Sequence, residues 1–284
     1  MPKILAIYRE ITNSPNHEQD DTLILRAVAE ELSKLGAETA LLEPEKIGSV
    51  NPAEWDAVIP MCENPPALKT IAGWKGPHIV NPVEAVLNCY RVNMTPLMSA
   101  CGEIHPKTEI IPTEALGAGK PVSCFGPKGA WVKRGDVHNT CDHDVVYIGN
   151  WADAMAVRRD FEPRGITSVV VQEHIDGDLV KFYAVGPLKW FGWFYHSDPA
   201  NRTHSFDLEK LENHAAQVAR AVGLEVYGGD AIITPQGRIY VIDINSWPSF
   251  ARVRDEVKTP IAQHIYAKVS GKHAGRRAVK GAVL

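Results

Sequence analysis

Apolar and polar residues over the first eighty positions form several short apolar runs and one amphipathic stretch. The run KILAIY, which starts at Lys3, predicts a buried strand. Asp21 then predicts the cap of a helix that ends at Gly36, because apolar side chains recur at helical spacing at Leu25, Val28, Leu32 and Leu35. ETALLEP, DAVIPMC and GPHIVN follow as short strands. This order predicts a small parallel α/β domain over residues 1–85.

The pattern changes after this domain. Asn81 followed by Pro82 predicts a capped helix start. From Glu109 onward, short apolar runs predict strands, with a helix near Trp151 and another that starts at the cap residue Asp207 and ends at Gly223. Mixed or antiparallel sheets with flanking helices fit this region. The predicted fold class is therefore α/β in the first part and α+β in the second.

Composition and charge limit the classes of protein to which this chain can belong. The chain of 284 residues has an ordinary globular composition and a formal net charge of −4, which disfavours a general nucleic-acid binder. Its five cysteines show no CxxC spacing, which is typical of reduced cytosolic thiols. No apolar run approaches the length needed to cross a bilayer, and MPKILAIYRE lacks a signal-peptide core. We expect a cytoplasmic protein with neither a membrane nor a nucleic-acid partner.

The segment GGDAIITPQGRIYVIDINSWPSF carries acidic side chains on a predicted β-hairpin. A two-residue loop at Gln236 and Gly237 would place Asp230 directly opposite Asp243. Asn245 would share their face, and the opposite face would be a core face formed by Tyr240, Ile242 and Ile244. Carboxylate and carboxamide oxygens of this kind suit Mg²⁺, which also takes phosphate oxygens and waters. The alternative interpretation is a solvated surface hairpin.

Two further segments carry candidate nucleotide contacts. Lys133 ends a predicted strand and precedes a loop with Gly135, which favours a phosphate cradle over a solvated lysine only in combination with other motifs. No GxxxxGK[ST] or GxGxxG motif is present. In SVVVQEHIDGD the backbone that leaves a strand could bind a purine edge, and Asp178 could accept from ribose hydroxyls; a strand followed by a polar turn is the alternative.

A cluster in HNTCDHD raises the question of zinc. Imidazole and thiolate groups are good Zn²⁺ ligands, and the segment supplies His138, Cys141 and His143. No fourth ligand stands at a usual spacing. The sequence therefore favours a polar loop near the phosphates over a zinc site.

In combination and in this order, Lys133, VVVQEHIDGD, GGDAII and VIDIN-x-x-P resemble the motifs of the ATP-grasp superfamily, over the chain from about Asn81 to its end. The preceding α/β domain is also similar to the one with which such enzymes usually begin. The resemblance implies a domain at residues 1–85, a central ATP-grasp lobe at 86–175 and a C-terminal lobe with the metal site at 176–284.

The resemblance also implies roles for individual residues. Arg91 and Lys133 would contact ATP phosphates, and the adenine hinge would be formed by Gln172, Glu173, His174 and Ile175. Asp178 would meet the ribose, and Mg²⁺ would be held by Asp230, Asp243 and Asn245. Lys181 matches a basic residue that reaches the phosphates in inositol trisphosphate kinases and ribosomal-protein glutamate ligases. The candidates for catalytic or substrate contacts are Lys181, Arg202, Arg252 and His138.

Two residues depart from the pattern of the superfamily. Ser249 replaces a common glycine, and Gly228 stands where D-alanine ligases carry a catalytic arginine, which argues against a D-alanine ligase proper. The expected function is an ADP-forming ligase that uses ATP and Mg²⁺ to join a small-molecule carboxylate to an amine or thiol through an acyl phosphate. The alternatives are a small-molecule kinase like the inositol phosphate kinases, which IDIN resembles more closely, and a non-catalytic nucleotide-binding protein. The oligomeric state stays open, a homodimer being one option.

Overall fold

The described part of the chain forms three four-stranded sheets. A computed structural model describes residues 1–13, 18–137, 141–187, 189–196 and 204–270. The sheets follow one another along the sequence and lie within the predicted ranges 1–85, 86–175 and 176–284. The limits of those domains remain a prediction. No described helix is long and apolar enough to cross a membrane.

The first sheet is parallel and has the strand order β2-β1-β3-β4. Its elements are β1 (Lys3–Ile7), α1 (Glu18–Lys34), β2 (Glu38–Leu42), β3 (Ala57–Pro60), α2 (Pro65–Ala72) and β4 (His78–Ile79). The predicted parallel α/β class is confirmed. Asp21 is not the helix cap, because α1 is already formed at Glu18. The Asp21 carboxylate is instead buried against the guanidinium of Arg9, at 3.6 Å.

Two short helices, α3 (Val83–Asn88) and α4 (Arg91–Ser99), connect the first sheet to the second. The prediction that Asn81 caps α3 was wrong, since Pro82 holds the cap position. Asn81 is fully buried, and its amide donates to the Val226 carbonyl at 2.7 Å and to Ser246 Oγ at 2.9 Å. Its Oδ1 accepts from the backbone N–H of Val226 at 2.9 Å. Asn81 thus ties the end of the first domain to the third sheet.

The second sheet is antiparallel with the order β5-β8-β6-β7. It consists of β5 (Thr108–Pro112), β6 (Ala130–Arg134), β7 (Val145–Ile148), α5 (Ala154–Phe161) and β8 (Ser168–Glu173). One face packs on α5 through a core that includes Val132, Phe161 and Val169. Alternation along β6 therefore leaves Trp131 and Lys133 on the other face.

The third sheet is also antiparallel, with the order β10-β9-β11-β12. Its elements are β9 (Asp178–Val185), β10 (Trp190–Tyr195), α6 (Leu208–Val222), β11 (Val226–Ile233), β12 (Ile239–Ser246) and α7 (Arg254–Ser270). Asp207 caps α6 by accepting from the N–H groups of Glu209 and Lys210, and Gly223 ends it with φ 92°. Helices α4 and α6 pack on one face of this sheet, and the other face is open to the second sheet.

The hairpin of β11 and β12 confirms one prediction and corrects another. Asp230 pairs with Asp243. The turn, however, has three residues, because the Thr234 N–H donates to the Arg238 carbonyl at 2.9 Å. Ile242 is a β-bulge that restores the register, since Ala231 already pairs with Val241.

The bulge also changes which side chains of β12 face the core. Ile244 is buried as predicted, together with Ile239 and Val241. Tyr240 and Ile242 were wrongly predicted to be core residues. Both are only partly buried, and both line cavities on the open side of the sheet.

Candidate active site

A cavity of about 510 Å³ lies between the second and third sheets. The second sheet contributes Trp131, Lys133 and Val145 to its wall. The third sheet contributes Leu179, Asp230, Ile232, Ile242 and Asp243, and the end of β8 with the connection that follows it contributes residues 172–177. Arg91 at the start of α4 completes the lining. Apolar walls with a few charged groups at one end are typical of sites for small molecules.

The open face of the third sheet carries its polar residues in two rows. Cross-strand pairing places Phe194, Lys181, Asp230 and Asp243 side by side in the first row. The second row contains Gly192, Tyr183, Gly228 and Asn245. Directly paired residues of antiparallel strands point to the same side of the sheet. The structure therefore brings the predicted metal residues Asp230, Asp243 and Asn245 to one surface, with Lys181 beside them.

Each of the two aspartates forms an ion pair with a basic side chain. Lys181 Nζ lies 2.9 Å from Asp230 Oδ1, and Arg91 Nη2 lies 3.8 Å from Asp243 Oδ2. The pKa of Lys181 is raised, because its interaction with Asp230 outweighs the cost of burial. Arg91 is only 2% exposed, so its charge faces Asp243 and backbone carbonyls rather than water.

The donor set fits Mg²⁺ with a nucleotide better than a closed protein cage. Within the described residues, no three or more His, Cys, Asp or Glu side chains are grouped as a metal site. Two adjacent carboxylates and a carboxamide leave positions that phosphate oxygens and waters would complete, as Mg²⁺ prefers. Asp230, Asp243 and Asn245 therefore fit a metal that arrives with a polyphosphate.

Lys133 faces these carboxylates from the second sheet. Its ammonium group is buried and donates to Gln172 Oε1 at 2.9 Å and to the Ile242 carbonyl at 3.3 Å. Burial lowers the pKa of Lys133 to about 8, against an opposing effect of Asp243. A buried ammonium with a lowered pKa gains from an anion that enters the cavity.

A polar chain behind Lys133 was not predicted from the sequence. Gln172 Nε2 donates to Thr108 Oγ1 at 3.4 Å, and Thr108 Oγ1 lies 3.1 Å from His105 Nε2. His105 Nδ1 lies 3.0 Å from the Val241 carbonyl, which can only accept, so this nitrogen carries the proton. Burial lowers the pKa of His105 to about 4, which keeps the ring neutral. Because β5 and β12 are distant in sequence, no local pattern pointed to this contact.

The predicted hinge lines the cavity as a continuous segment from Gln172 to Ile175. The backbone N–H of Glu173 donates to the Lys107 carbonyl at 2.9 Å, and that of His174 donates to the Gly129 carbonyl at 3.4 Å. Two of the hinge amides are therefore occupied by neighbouring strands and loops. A purine edge would have to use Ile175 and the carbonyl groups.

The His174 ring is held from both sides. Trp131 Nε1 donates to His174 Nδ1 at 3.0 Å, and His174 Nε2 lies 2.9 Å from Asp176 Oδ1. Nδ1 must therefore be the acceptor, which leaves the proton on Nε2. Lys128 forms an ion pair with Asp176. Trp131, another residue without a sequence signal, thereby becomes a fixed wall of the cavity.

Asp178 lies apart from the cavity lining. Its Oδ2 accepts from the backbone N–H of His204 at 2.9 Å, which connects β9 to the segment before α6. The predicted ribose contact stays a prediction. His138 and Arg202 lie outside the described residues.

Aromatic side chains extend the open face of the third sheet beyond the aspartates. The Tyr183 ring lies 5.9 Å from the Phe194 ring and 5.2 Å from the Phe250 ring. The Arg252 guanidinium lies 4.5 Å from the Phe194 ring centroid. A cation over an aromatic face is held in place without losing its exposure to an anionic ligand.

The space above Gly228 is already filled. A Cβ atom at this position would lie 2.8 Å from Tyr183 Cδ1 and 2.9 Å from Pro248 Cγ. It would also lie 2.9 Å from the Phe182 backbone carbonyl oxygen, so no larger residue fits here without a shift of its surroundings. Tyr183, Phe194 and Phe250 form an aromatic face. Tyr183 of this face, with Pro248, fills the place that the resemblance gives to an arginine in D-alanine ligases.

Comparisons with known proteins agree on the fold. No family model matches the chain, and no curated protein is similar to it in sequence. Among solved structures, a RimK domain ATP-grasp protein from Sphaerobacter thermophilus DSM 20745 is similar with a TM-score of 0.67 and 18% identity, over 93% of this chain and 99% of that chain. D-alanine–D-alanine ligase from Bacillus anthracis is similar with a TM-score of 0.67 and 12% identity, over 95% and 97% of the two chains.

A third similar structure, of the ATP-grasp ligase PsnB, contains a minimal precursor, Mg and ADP. Its TM-score is 0.63 at 14% identity, over 94% of this chain and 98% of that chain. Such identities establish the architecture and leave the reaction to the residues of the site. The chain has the fold of the ATP-grasp superfamily, as its motifs predicted.

Proposed function

We propose that this protein is an ADP-forming ligase that uses Mg-ATP to join a small-molecule carboxylate to an amine or thiol nucleophile. The observation that carries the proposal is the row of Lys181, Asp230 and Asp243, whose two aspartates line one cavity together with the buried Lys133 and Arg91. Two cations and two carboxylates converge there at the end of an apolar pocket. This arrangement suits a polyphosphate with its base in the pocket and its terminal phosphate at the aspartates.

The nucleotide would lie along the cavity. Its base would contact the backbone near Ile175, between Trp131 on one side and Ile232 and Ile242 on the other. Lys133 and Arg91 would bind phosphate oxygens, since both are cations in the cavity lining. Bound Mg²⁺, held by Asp230, Asp243 and Asn245, would neutralise charge on the phosphates and polarise the terminal phosphorus.

Two displacements account for the reaction. A carboxylate oxygen of the substrate attacks the γ-phosphorus, and the bond from that phosphorus to the β,γ-bridging oxygen breaks, which releases ADP and leaves an acyl phosphate. The nucleophile then attacks the acyl carbon, the bond from that carbon to the phosphate oxygen breaks, and inorganic phosphate leaves as the nucleophile loses its proton. Positioning and charge stabilisation suffice for such steps, so a dedicated general base is not required.

Lys181 and Arg252 are the cations that the acceptor would meet. Lys181 stands between the Asp230 carboxylate and the aromatic face, where it would stabilise negative charge on the transferring phosphoryl group. Arg252 is stacked on Phe194 at the outer edge of that face and would bind a second anionic group of the substrate. The rings of Tyr183 and Phe194 would contact an apolar part of the same molecule.

Hydroxylamine trapping tests this proposal. The purified protein would be incubated with Mg-ATP, hydroxylamine and pools of amino acids and dipeptides, and both hydroxamate and inorganic phosphate would be measured. A ligase forms hydroxamate and phosphate together, because hydroxylamine captures the acyl phosphate. An Asp243→Asn variant should form neither. A phosphorylated product without free phosphate would favour the kinase alternative, and nucleotide binding without any product would favour a non-catalytic role.

A further inference from the structure

Arg9 joins the first domain to the strand end that carries Asn245. It lies two residues beyond β1, and its side chain is 10% exposed. Nη2 donates to the Trp247 carbonyl at 2.6 Å and to the Ser246 carbonyl at 3.4 Å, and Nε donates to the Met61 carbonyl at 3.3 Å. One guanidinium group therefore contacts the ends of β3 and β12 at once.

Carboxylates hold this guanidinium in place. Glu63 Oε1 lies 3.2 Å from Nη2, and Asp21 Oδ2 lies 3.6 Å from Nε. Burial alone would lower the pKa of Arg9, but Glu63, Asp21 and Glu10 together raise it. The guanidinium is thus charged and oriented before any ligand arrives.

The segment that Arg9 contacts has an unusual backbone. Trp247 and Phe250 have φ of 44° and 51°, a region that residues other than glycine rarely adopt. Conformations of this kind persist only when their surroundings enforce them. The Trp247 indole is fully buried and donates to the Val80 carbonyl at 3.0 Å. Arg9 holds the backbone of the same residue, through its hydrogen bond to the Trp247 carbonyl.

The 246–250 segment also borders both the predicted metal residues and the aromatic face. It begins directly after Asn245, its Pro248 lies against the position of Gly228, and its Phe250 packs on Tyr183. A displacement of the 246–247 backbone would therefore move a metal residue and the aromatic face together.

We propose that Arg9 is a positioning residue, through which the first domain fixes Asn245 and the 246–250 segment for metal-nucleotide binding. This inference rests on the proposed Mg-ATP site. The planar fork of arginine reaches two carbonyls and a third acceptor at once, whereas a lysine ammonium is a point charge on a flexible stem. The geometry of the guanidinium group, and not its charge alone, therefore holds the 246–250 segment in place.

Binding of Mn²⁺ with ADP tests this role without knowledge of the substrate. Arg9→Lys keeps the charge and removes the fork. Arg26→Lys is the matched control, because Arg26 is exposed and its Nε donates to the nearby Tyr8 hydroxyl at 3.0 Å. Electron paramagnetic resonance of Mn²⁺ gives the affinity for Mn-ADP, and calorimetry gives that for metal-free ADP. We expect Arg9→Lys to weaken Mn-ADP binding about tenfold, as losses around metal ligands do, with metal-free ADP binding unchanged.

Amide exchange supplies a second readout that is independent of the metal. Residues 246–250 should exchange faster in Arg9→Lys than in the wild type, while β11 and the Arg26→Lys control should not change. Unchanged Mn-ADP affinity or unchanged exchange in Arg9→Lys would overturn the inference and leave the proposed function intact. A wild-type protein that binds no Mn-ADP would overturn both. If neither Arg9→Lys nor Arg9→Gln folds, Arg9 serves folding instead, and the inference is also overturned.

Discussion

The proposed nucleotide half of the site, with Lys133, Asp230 and Asp243, and the proposed acceptor half, with Arg252 and the aromatic rings, are built by different means. Lys133 lies on β6, and Asp230 and Asp243 lie on β11 and β12 beside the bulge; hydrogen bonds and ion pairs fix the side chains of Lys133 and Asp230. The acceptor half consists of stacked rings, an exposed Arg252 and a segment with positive φ at Trp247 and Phe250. Because these side chains are fixed on strands, the phosphates of the proposed nucleotide could bind in only one place. Within the proposed acceptor half, an exposed side chain such as Arg252 can be substituted without disturbing the phosphate contacts, whereas the 246–250 segment directly follows Asn245 and cannot change independently.

This difference matters for the proposed function. A bound nucleotide demands charges at fixed places, and a sheet supplies them with precision. The acceptor substrate can differ between proteins of one fold, and loops tolerate the sequence changes that this requires. We therefore expect substitutions to have large effects on the row of aspartates and progressively smaller ones outward.

The largest effect should come from Asp243→Asn. The change keeps the shape of the side chain and removes a charge that Mg²⁺ and Arg91 would share. We expect phosphate release to fall on the order of 100- to 1000-fold, as loss of a major electrostatic contact in a site does. The folded state should persist, because Arg91 keeps its backbone acceptors. Activity within a factor of three of the wild type would remove Asp243 from the metal site.

A pH dependence should follow from Lys133. Burial lowers its pKa to about 8, so the free protein holds the ammonium form at pH 7 and mostly the neutral amine at pH 9. Phosphates need the ammonium form. ATP affinity measured by calorimetry should therefore fall about tenfold as the pH rises from 7 to 9. In a Lys133→Arg control the affinity should be flat over this range, and an equal decline there would assign the pH dependence to another group.

Arg252→Ala tests the acceptor half. The guanidinium stacks on Phe194 away from the cavity that would hold ATP. We expect the KM of the carboxylate substrate to rise about fivefold, in line with an exposed charge contact, and the KM of ATP to stay constant. Arg252→Lys should recover part of the loss. A rise in the KM of ATP would show that the two halves are not separate.

The smallest effect is expected for Asp178→Asn. In the structure this carboxylate accepts from the His204 N–H rather than facing the cavity. The change should lower the free energy of unfolding by about 1 kcal/mol and leave ATP affinity within a factor of two. A loss of affinity for ATP that is absent for 2′-deoxy-ATP would instead support the predicted ribose contact.

Contacts within a strand or between neighbouring strands were open to prediction from the sequence. Alternation along β6 and pairing of β11 with β12 suffice to bring Lys133, Asp230 and Asp243 to one cleft once the fold is recognised. Capping of α6 by Asp207 is likewise a local property.

Contacts between distant segments were not predictable in this way. The prediction of Asn81 as a helix cap was wrong, because its role depends on Val226 and Ser246, which lie more than 140 residues away. Arg9 and His105 gave no signal for the same reason. Tyr240 and Ile242 were placed in the core by strict alternation, which a single bulge breaks.

That bulge gives β12 a property that a regular strand lacks. Ile242 and Asp243 are neighbours in sequence, yet both line the same cavity. An apolar surface for a base or sugar and a charged ligand for its phosphates therefore come from consecutive residues, and their spacing is fixed by one peptide unit. Deletion of Ile242 alone would leave Asp230 opposite Asp243, because Ala231 already pairs with Val241, and would remove only the apolar member of this neighbouring pair.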